Sequence, residues 1–406
     1  MFPPVFESDN VKGFSRFSFF PKSHLAHATA LLTGITLLSA PLQFAFGQTD
    51  FQLFVSSYSN SVIMRYDSSG APLPSGANSG AIYASGGSAT NALGHSTGLT
   101  FGPDGNLYTW GQDNYQILRF QGPTNATPGA FMGDFTGRDY PAGATNTPGC
   151  STCTGQIISG GGMGVVFGGP NTNLYIIGDD NLRIQEFDGV TGAFVNRLDP
   201  TNQATLERFG PKQLIFGSDT NLFLYATDTG NQRLKKYNTA TRLTWNSPGS
   251  GNATDLASGA NVNNLFGVAF GPNGDIYVSD LVGTTNFTAQ SFGRIAHYDS
   301  SGVFVAYMTN APSLDSPRGI AFGPDGKFYV ADWMNNEILR YDIVSGSSFG
   351  NEQVFVTGGS GGLDAPVFMS FVNVPVSEVP EPSTFLLSAM GTACLFAARR
   401  RFLGRS

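Results

Sequence analysis

One phrase recurs along this chain, and it narrows sharply what the chain can fold into. Its cleanest copy is Gly319–Asp342, GIAFGPDGKFYVADWMNNEILRYD. An apolar run, Gly319–Phe322, meets the turn Gly323-Pro324-Asp325-Gly326. A second run, Phe328–Ala331, meets a polar corner, Asp332–Asn336, and a third, Ile338–Tyr341, ends the unit. Pro and Gly supply the dihedrals that the first turn needs. Short apolar runs joined by tight turns form an antiparallel meander, and a meander that repeats buries its faces against its own copies.

Further copies lie at Gly98–Gly122, Gly164–Gly189, Leu214–Asn238 and Gly267–Ser300, the last with an insertion before its third run. A partial copy, Phe51–Gly70, has the second and third runs and no first. After most copies comes one more apolar run: Ala81–Ala84, Ala130–Phe135, Ala193–Leu198, Val303–Met308 and Gln353–Thr357. Units of four strands at a spacing of roughly fifty residues are propeller blades. The closing clue is Leu363–Phe371, LDAPVFMSF, which aligns without a gap on Leu314–Phe322, LDSPRGIAF. It is a first strand with no blade after it, and Phe51–Gly70 is a blade with no first strand. Joined, they complete a sixth blade, which removes exposed inner edges and ties the ends of the ring together. The expected fold is all-β: a six-bladed propeller of four-stranded antiparallel blades, closed by pairing of N- and C-terminal strands, with helical hydrophobic segments at both chain ends. The 52 glycines and the low charged fraction of 13% suit so many tight turns. A closed ring can absorb this length as one unit, expected over residues 48–374.

The pieces Gly-x-Ala-Phe-x-Pro-x-Gly and Tyr-Val-x-Asp resemble the NHL repeat. The resemblance spans about Asp50 to Asn373 and is weaker in the third and fourth copies, where Asn171 follows the turn Pro and Ser218-Asp219 replaces it. NHL-type propellers include enzymes, scaffolds and ligand binders, so the resemblance implies a fold rather than an activity.

The two ends read as addresses. Residues 1–47 have a basic region (Lys12, Arg16, Lys22), an apolar stretch (Leu25–Phe46) and a small-x-small site, Ala45-Phe46-Gly47, the layout of a cleaved signal peptide. In residues 375–406, Pro380-Glu381-Pro382 precedes an apolar segment, Thr384–Ala398, and then Arg399-Arg400-Arg401. The arginines stay cytoplasmic by the positive-inside rule and leave the preceding domain outside. This order resembles the PEP-CTERM sorting signal of Gram-negative bacteria. That resemblance implies an exosortase-type enzyme acting at Pro380, Glu381 and Pro382, with delivery to the cell surface or extracellular matrix. Both terminal segments would enter the membrane transiently, and the tail would anchor the chain before processing.

For chemistry, the copies must be compared. Asn60, Asn114, Asn181, Asn231 and Asn335 fill one corner column, and Asp228, Asp280 and Asp332 recur at a strand end. Asn tolerates left-handed backbone and bonds locally, so repetition points to scaffold. Four residues before each inner-strand Phe the copies differ: Val367, Thr97, Met163, Lys212, Phe266 and Arg318, all expected near one mouth of the central channel. Just before one inner strand stands His95, able to act as a general base near neutral pH. His297 lies in a third strand, and neither histidine has an obvious carboxylate partner in sequence. Gluconolactonase-type propellers, similar in fold, hold a metal on central carboxylates and Asn, and no matching set is read here; no cofactor or metal is expected. Cys150 and Cys153 can close a small disulfide loop in an exported chain. The net charge of −7 and the lack of a basic patch argue against nucleic acid. The leading expectation is an exported binding or scaffold module for an extracellular polysaccharide or protein, without catalytic residues. The alternative is a secreted lactonase- or lyase-like enzyme at the channel mouth, using His95, Lys212 or Arg318.

Overall fold

The computed structural model describes residues 50–373, apart from 77, 87–92, 114–115, 137–162, 179–182, 199–210, 218–221, 230–231, 245–261, 283–291 and 346. The chain opens with β1 (Phe51–Ser57), β2 (Val62–Tyr66) and β3 (Ile82–Ala84). Blade two is β4 (Ser96–Phe101), β5 (Leu107–Gly111), β6 (Gln116–Phe120) and β7 (Phe131–Thr136). Blade three is β8 (Val165–Gly168), β9 (Asn173–Gly178), β10 (Arg183–Phe187) and β11 (Phe194–Arg197). Blade four is β12 (Pro211–Phe216), β13 (Phe223–Asp228), β14 (Arg233–Asn238) and β15 (Leu243–Thr244). Blade five is β16 (Leu265–Phe270), β17 (Ile276–Val282), β18 (Phe292–Tyr298) and β19 (Phe304–Tyr307). Blade six is β20 (Pro317–Phe322), β21 (Phe328–Asp332), β22 (Glu337–Ser345) and β23 (Ser348–Val356), and β24 (Pro366–Asn373) follows. Six four-stranded sheets result, and the first has the order β24-β1-β2-β3. The last strand therefore completes the first blade, with Phe51 opposite Asn373 and Val55 opposite Met369.

The repeated Phe and Tyr explain why the blades stack into a ring. An aromatic of each second strand meets the inner-strand Phe of the next blade at a steep angle. The pairs are Phe54–Phe101, Tyr108–Phe167, Tyr175–Phe216, Tyr225–Phe270, Tyr277–Phe322 and Tyr329–Phe371, with centroids 4.8 to 5.5 Å apart. Edge-to-face geometry adds about 0.5–1.5 kcal/mol per pair beyond the area buried. The sixth pair, Tyr329–Phe371, closes the circle.

The repeated Gly marks where inner strands crowd. A Cβ on Gly98 would lie 2.1 Å from the Met163 carbonyl oxygen, on Gly267 2.4 Å from that of Arg318, and on Gly319 2.5 Å from that of Val367. Each contact is with the next blade's inner strand or the residues leading into it. Hydroxyls bridge two of the seams: Thr227 Oγ1 donates to the Phe266 carbonyl (3.0 Å) and Ser279 Oγ to that of Arg318 (2.6 Å).

The fourth strand expected of every blade is present in blade four as β15, which at two residues is too short to show as an apolar run. Two local expectations need correction. The outer strand of blade six begins at Ser348, five residues before the apolar run, because its polar half pairs across a long hairpin (Ser345 opposite Ser348). The ends of the blade-five insertion are strand, with Leu281 opposite Gly293 and Val282 opposite Phe292. The terminal hydrophobic segments, and Cys150 with Cys153, lie outside the described residues. Among the described residues the only helix is a 3-10 turn, Ser360–Gly362, and no helix is long and apolar enough to cross a membrane.

Candidate functional site

Each inner strand crosses the ring from one face to the other, and the second strand returns. The starts of the inner strands and the corners between second and third strands therefore share a face. The corner columns separate scaffold from variation. Asn60 Nδ2 donates to the Gly362 carbonyl at 2.6 Å, and Asn335 Nδ2 to that of Ser313 at 3.2 Å. Asp280 is fully buried and accepts from the amides of Asn263 (2.7 Å) and Asn264 (2.8 Å) and from Arg294 Nε (2.8 Å). Asp332 accepts from the amides of Asp315 and Ser316. Asp228, also buried, pairs with Arg233. These carboxylates tie down their own blades; among the described residues no three His, Cys, Asp or Glu side chains lie together.

Two positions before the Asn column, the copies differ: Tyr58 in blade one, Gln112 in blade two and Trp333 in blade six. Blades six and one are neighbours, so two aromatic residues meet. The Trp333 and Tyr58 rings are 5.1 Å apart, and Tyr58 lies 4.6 Å from the His95 imidazole at 31°. His95 Nδ1 then contacts both oxygens of Asp113, at 2.9 and 3.0 Å. An ionised carboxylate only accepts, so Nδ1 carries the proton and Nε2 holds the lone pair in the neutral ring. His95 is 43% exposed and Asp113 52% exposed at their side chains. His95 stands at φ 47°, and its amide donates to Ser61 Oγ at 2.9 Å. Ala365, at the same position of blade one, has φ 51°. The left-handed backbone thus belongs to this loop form, and the imidazole is what blade two adds. Burial, and then the Asp113 charge, push the Tyr58 hydroxyl above its ordinary value.

Beneath this shelf sit the channel-mouth positions. Thr97, Met163, Phe266, Arg318 and Val367 are all buried, and Lys212 is half-buried. The Arg318 guanidinium stacks 4.7 Å from the Phe266 ring and 5.0 Å from Trp333, and burial pushes it down to about 10. Phe266 in turn stacks on Phe368 at 5.5 Å. Met163, Phe266, Val367 and Phe368 belong to one apolar cluster, against which Tyr58 and Trp333 pack. Arg318 therefore props Trp333 from below.

The channel itself is a cavity of about 570 Å³ lined by all six inner strands. Where four blades have Gly98, Gly164, Gly267 and Gly319 on the inner strand, two have Gln213 and Phe368, and both line this space. Gln213 Oε1 accepts from the Val268 amide at 2.7 Å. Among the described residues the lining contains no carboxylate and no histidine.

Both histidines have the partners that reading along the chain missed. Asp113 is 18 residues from His95, and His297 Nε2 contacts Asp275 at 3.0 Å across 22 residues. His297 is 5% exposed, with Nδ1 2.8 Å from Ser347 Oγ and its ring flat against Tyr277, a buried structural arrangement. The signal for the shelf was present two residues before the recurrent Asn, where Tyr58 and Trp333 stand in two blades that ring closure makes neighbours.

Residues 378–401 match the PEP-CTERM protein-sorting motif, which includes Pro380, Glu381 and Pro382. That motif implies export, processing by an exosortase and sorting to the cell envelope of a Gram-negative bacterium. No curated protein matches the chain. Among solved structures, a virginiamycin B lyase from Staphylococcus aureus, solved with quinupristin, is 16% identical, with 75% of this chain and 80% of that one covered and a TM-score of 0.46. A chain of a nidogen/laminin complex is 14% identical, covering 79% of this chain and 98% of that one, with a TM-score of 0.49. A streptogramin B lyase is 15% identical over 79% of this chain and 91% of that one, with a TM-score of 0.45. None of the three bears on what this chain binds.

Proposed function

We propose that this is an exported binding or scaffold module of the cell surface or extracellular matrix. Its propeller, residues 48–374, follows a cleaved signal peptide, residues 1–47, and precedes a membrane-anchoring sorting segment, residues 375–406. It engages a polysaccharide or protein at the face that carries Tyr58, His95, Asp113 and Trp333. The observation that supports this reading is the shelf of three adjoining rings, half-buried and ending on a carboxylate, on a scaffold that otherwise repeats. Binding sites on rigid frames sit where loops differ. The test compares retention of the full-length protein and its Trp333→Ala variant on washed envelope fragments. The variant should be released at lower salt and lower competitor concentration; equal retention overturns the proposal. Deleting residues 380–406 should abolish surface delivery, and unchanged delivery would sink the sorting role.

A second reading rests on His95 and Asp113. An imidazole with its tautomer set by a carboxylate is an arrangement suited to general-base catalysis. A lactonase- or lyase-like activity would then use His95 as base, with Asp113 orienting it. Turnover of lactones or cyclic esters by the full-length protein, falling roughly 10²–10⁴-fold in His95→Ala, would establish it. Binding without turnover leaves the module reading.

A further inference from the structure

Away from the shelf, a hydroxyl, an imidazole and a carboxylate stand in a row across the seam between blades five and six. From this row we infer that Ser347 is a nucleophile for acyl transfer, with uncharged carboxylic esters as substrates. Ser347 Oγ lies 2.8 Å from His297 Nδ1, and His297 Nε2 lies 3.0 Å from Asp275 Oδ2. An ionised carboxylate only accepts, so Nε2 carries the proton and Nδ1 holds the lone pair in the neutral ring. The Ser347 hydroxyl therefore donates to Nδ1, the direction in which a base draws a proton from a nucleophile. Each partner is fixed in turn. Asn273 Nδ2 donates to Asp275 Oδ2 at 2.7 Å, and Tyr277 lies flat on the imidazole, 4.7 Å away at 3°. The Ser347 carbonyl accepts from the Thr309 amide at 3.0 Å, and the Phe349 amide donates to the Thr309 carbonyl at 3.1 Å. The contacts that make His297 structural thus also hold a serine at the distance of a nucleophile–base pair. His297 is buried, which shields the base, and Ser347 at the hairpin tip is only half-buried.

A hollow of about 600 Å³ adjoins the row. It shares Asn273 and Tyr277 with the surroundings of His297, and Val344 with the hairpin whose tip is Ser347. Phe322 and Ile343 add apolar wall. The Lys327 ammonium there is paired with Asp342, and Asp325 lines the same space. Such a wall suits an apolar acyl chain, and its carboxylates repel an anionic one. In the reaction, Ser347 Oγ bonds to the ester carbonyl carbon and its proton passes to His297 Nδ1. The bond from that carbon to the alcohol oxygen breaks, and the alcohol leaves with the proton. Water then attacks the acyl-serine and gives a proton through Nδ1 back to Ser347 Oγ, releasing the carboxylic acid.

The test treats the full-length protein, in mild detergent, with a fluorophosphonate probe and with p-nitrophenyl acetate and butyrate. Peptide mapping should place the phosphonate on Ser347, and p-nitrophenol should be released. Ser347→Ala, with circular dichroism matching the parent's, should lose the label and slow release roughly 10²-fold or more. Ser347→Cys, which keeps a nucleophile beside the imidazole, should take the acyl group in its place. Asp275→Asn, which no longer sets the tautomer, should slow release while Ser347 remains in place. A label found on another residue overturns the proposal, as does release undiminished in Ser347→Ala. A parent protein that neither takes the probe nor releases p-nitrophenol overturns it too. Ester cleavage through His95 would survive Ser347→Ala, so the two histidines are told apart.

Discussion

Replacing Phe371 by Ala probes whether the ring is closed by its own C-terminal strand. Phe371 lies on β24, 4.9 Å from Tyr329 of blade six and 5.4 Å from Phe51 of the partner strand β1. Truncating a fully buried Phe costs about 3–5 kcal/mol, from lost transfer energy and the cavity left behind. Phe371 is only partly buried, packed against the cluster that contains Phe51, Leu53, Tyr329 and Phe355. Its removal also deletes two edge-to-face contacts, at about 0.5–1.5 kcal/mol each. The expected loss is about 2–4 kcal/mol. The internal reference is Phe322→Ala, the same position in blade six, where the ring meets Tyr277 at 5.5 Å and Phe328 at 5.1 Å. In a closed ring the two variants suffer alike. Urea unfolding, followed by tyrosine and tryptophan fluorescence and by circular dichroism, measures both, provided the two probes coincide. If Phe371→Ala stays within about 0.5 kcal/mol of the parent while Phe322→Ala falls by several-fold more, β24 does not close the ring.

Other consequences follow from the same packing. Gly319→Ala should destabilise by about 1–3 kcal/mol, because the new Cβ meets the Val367 carbonyl and the Phe368 backbone of a paired strand; a stabilised variant in thermal unfolding would contradict the crowded seam. Asp280→Ala leaves two loop amides and Arg294 without their acceptor and should cost roughly 2–4 kcal/mol; a neutral effect in urea unfolding would show that the loop holds without it. Asp188 is held below its ordinary value of 3.8 by hydrogen bonds from Thr191 and Val190, and Asp299 by those from Ser301 and Val303. A carboxyl with a depressed folded value stabilises above about pH 4, and the contribution is lost as pH falls through the folded value. Asp188→Ala and Asp299→Ala together should therefore flatten the acid limb of the stability profile below pH 4 and lower the plateau above it; an unchanged limb would refute the assignment.

How far the sequence spoke depended on the range of the physics involved. The turn at Gly323-Pro324-Asp325-Gly326 is local chemistry: Gly326 takes φ 74°, and Asp325 accepts from Tyr329 OH at 2.8 Å. Such turns show in the copies that keep the Pro and the Gly. Ring closure was legible because Leu363–Phe371 and Phe51–Gly70 are fragments with complementary missing parts. Asn60 and Asn335 were readable as scaffold, because a repeated polar residue in a repeated corner serves the corner. The shelf was harder. Tyr58 and Trp333 sit some 275 residues apart in sequence and meet only because blade six is the neighbour of blade one in a closed ring. Asp113 reaches His95 because a blade's inner strand begins beside its own second-to-third corner, a relation of strand geometry rather than spacing. Alignment places Arg318 just before an inner strand; its burial depends on Phe266 and Trp333, which come from two different blades and enclose it.

The most direct measurement is hydroxyl-radical footprinting of the full-length protein, free and on envelope fragments. Met334 neighbours Trp333 at the shelf corner and is 38–42% exposed together with Met132, which lies on the outer strand β7. The account requires Met334 and Trp333 to be oxidised less on the envelope than in the free protein, with Met132 unchanged. Equal oxidation of Met334 in both states, or protection confined to Met132, would place the binding face elsewhere and contradict it.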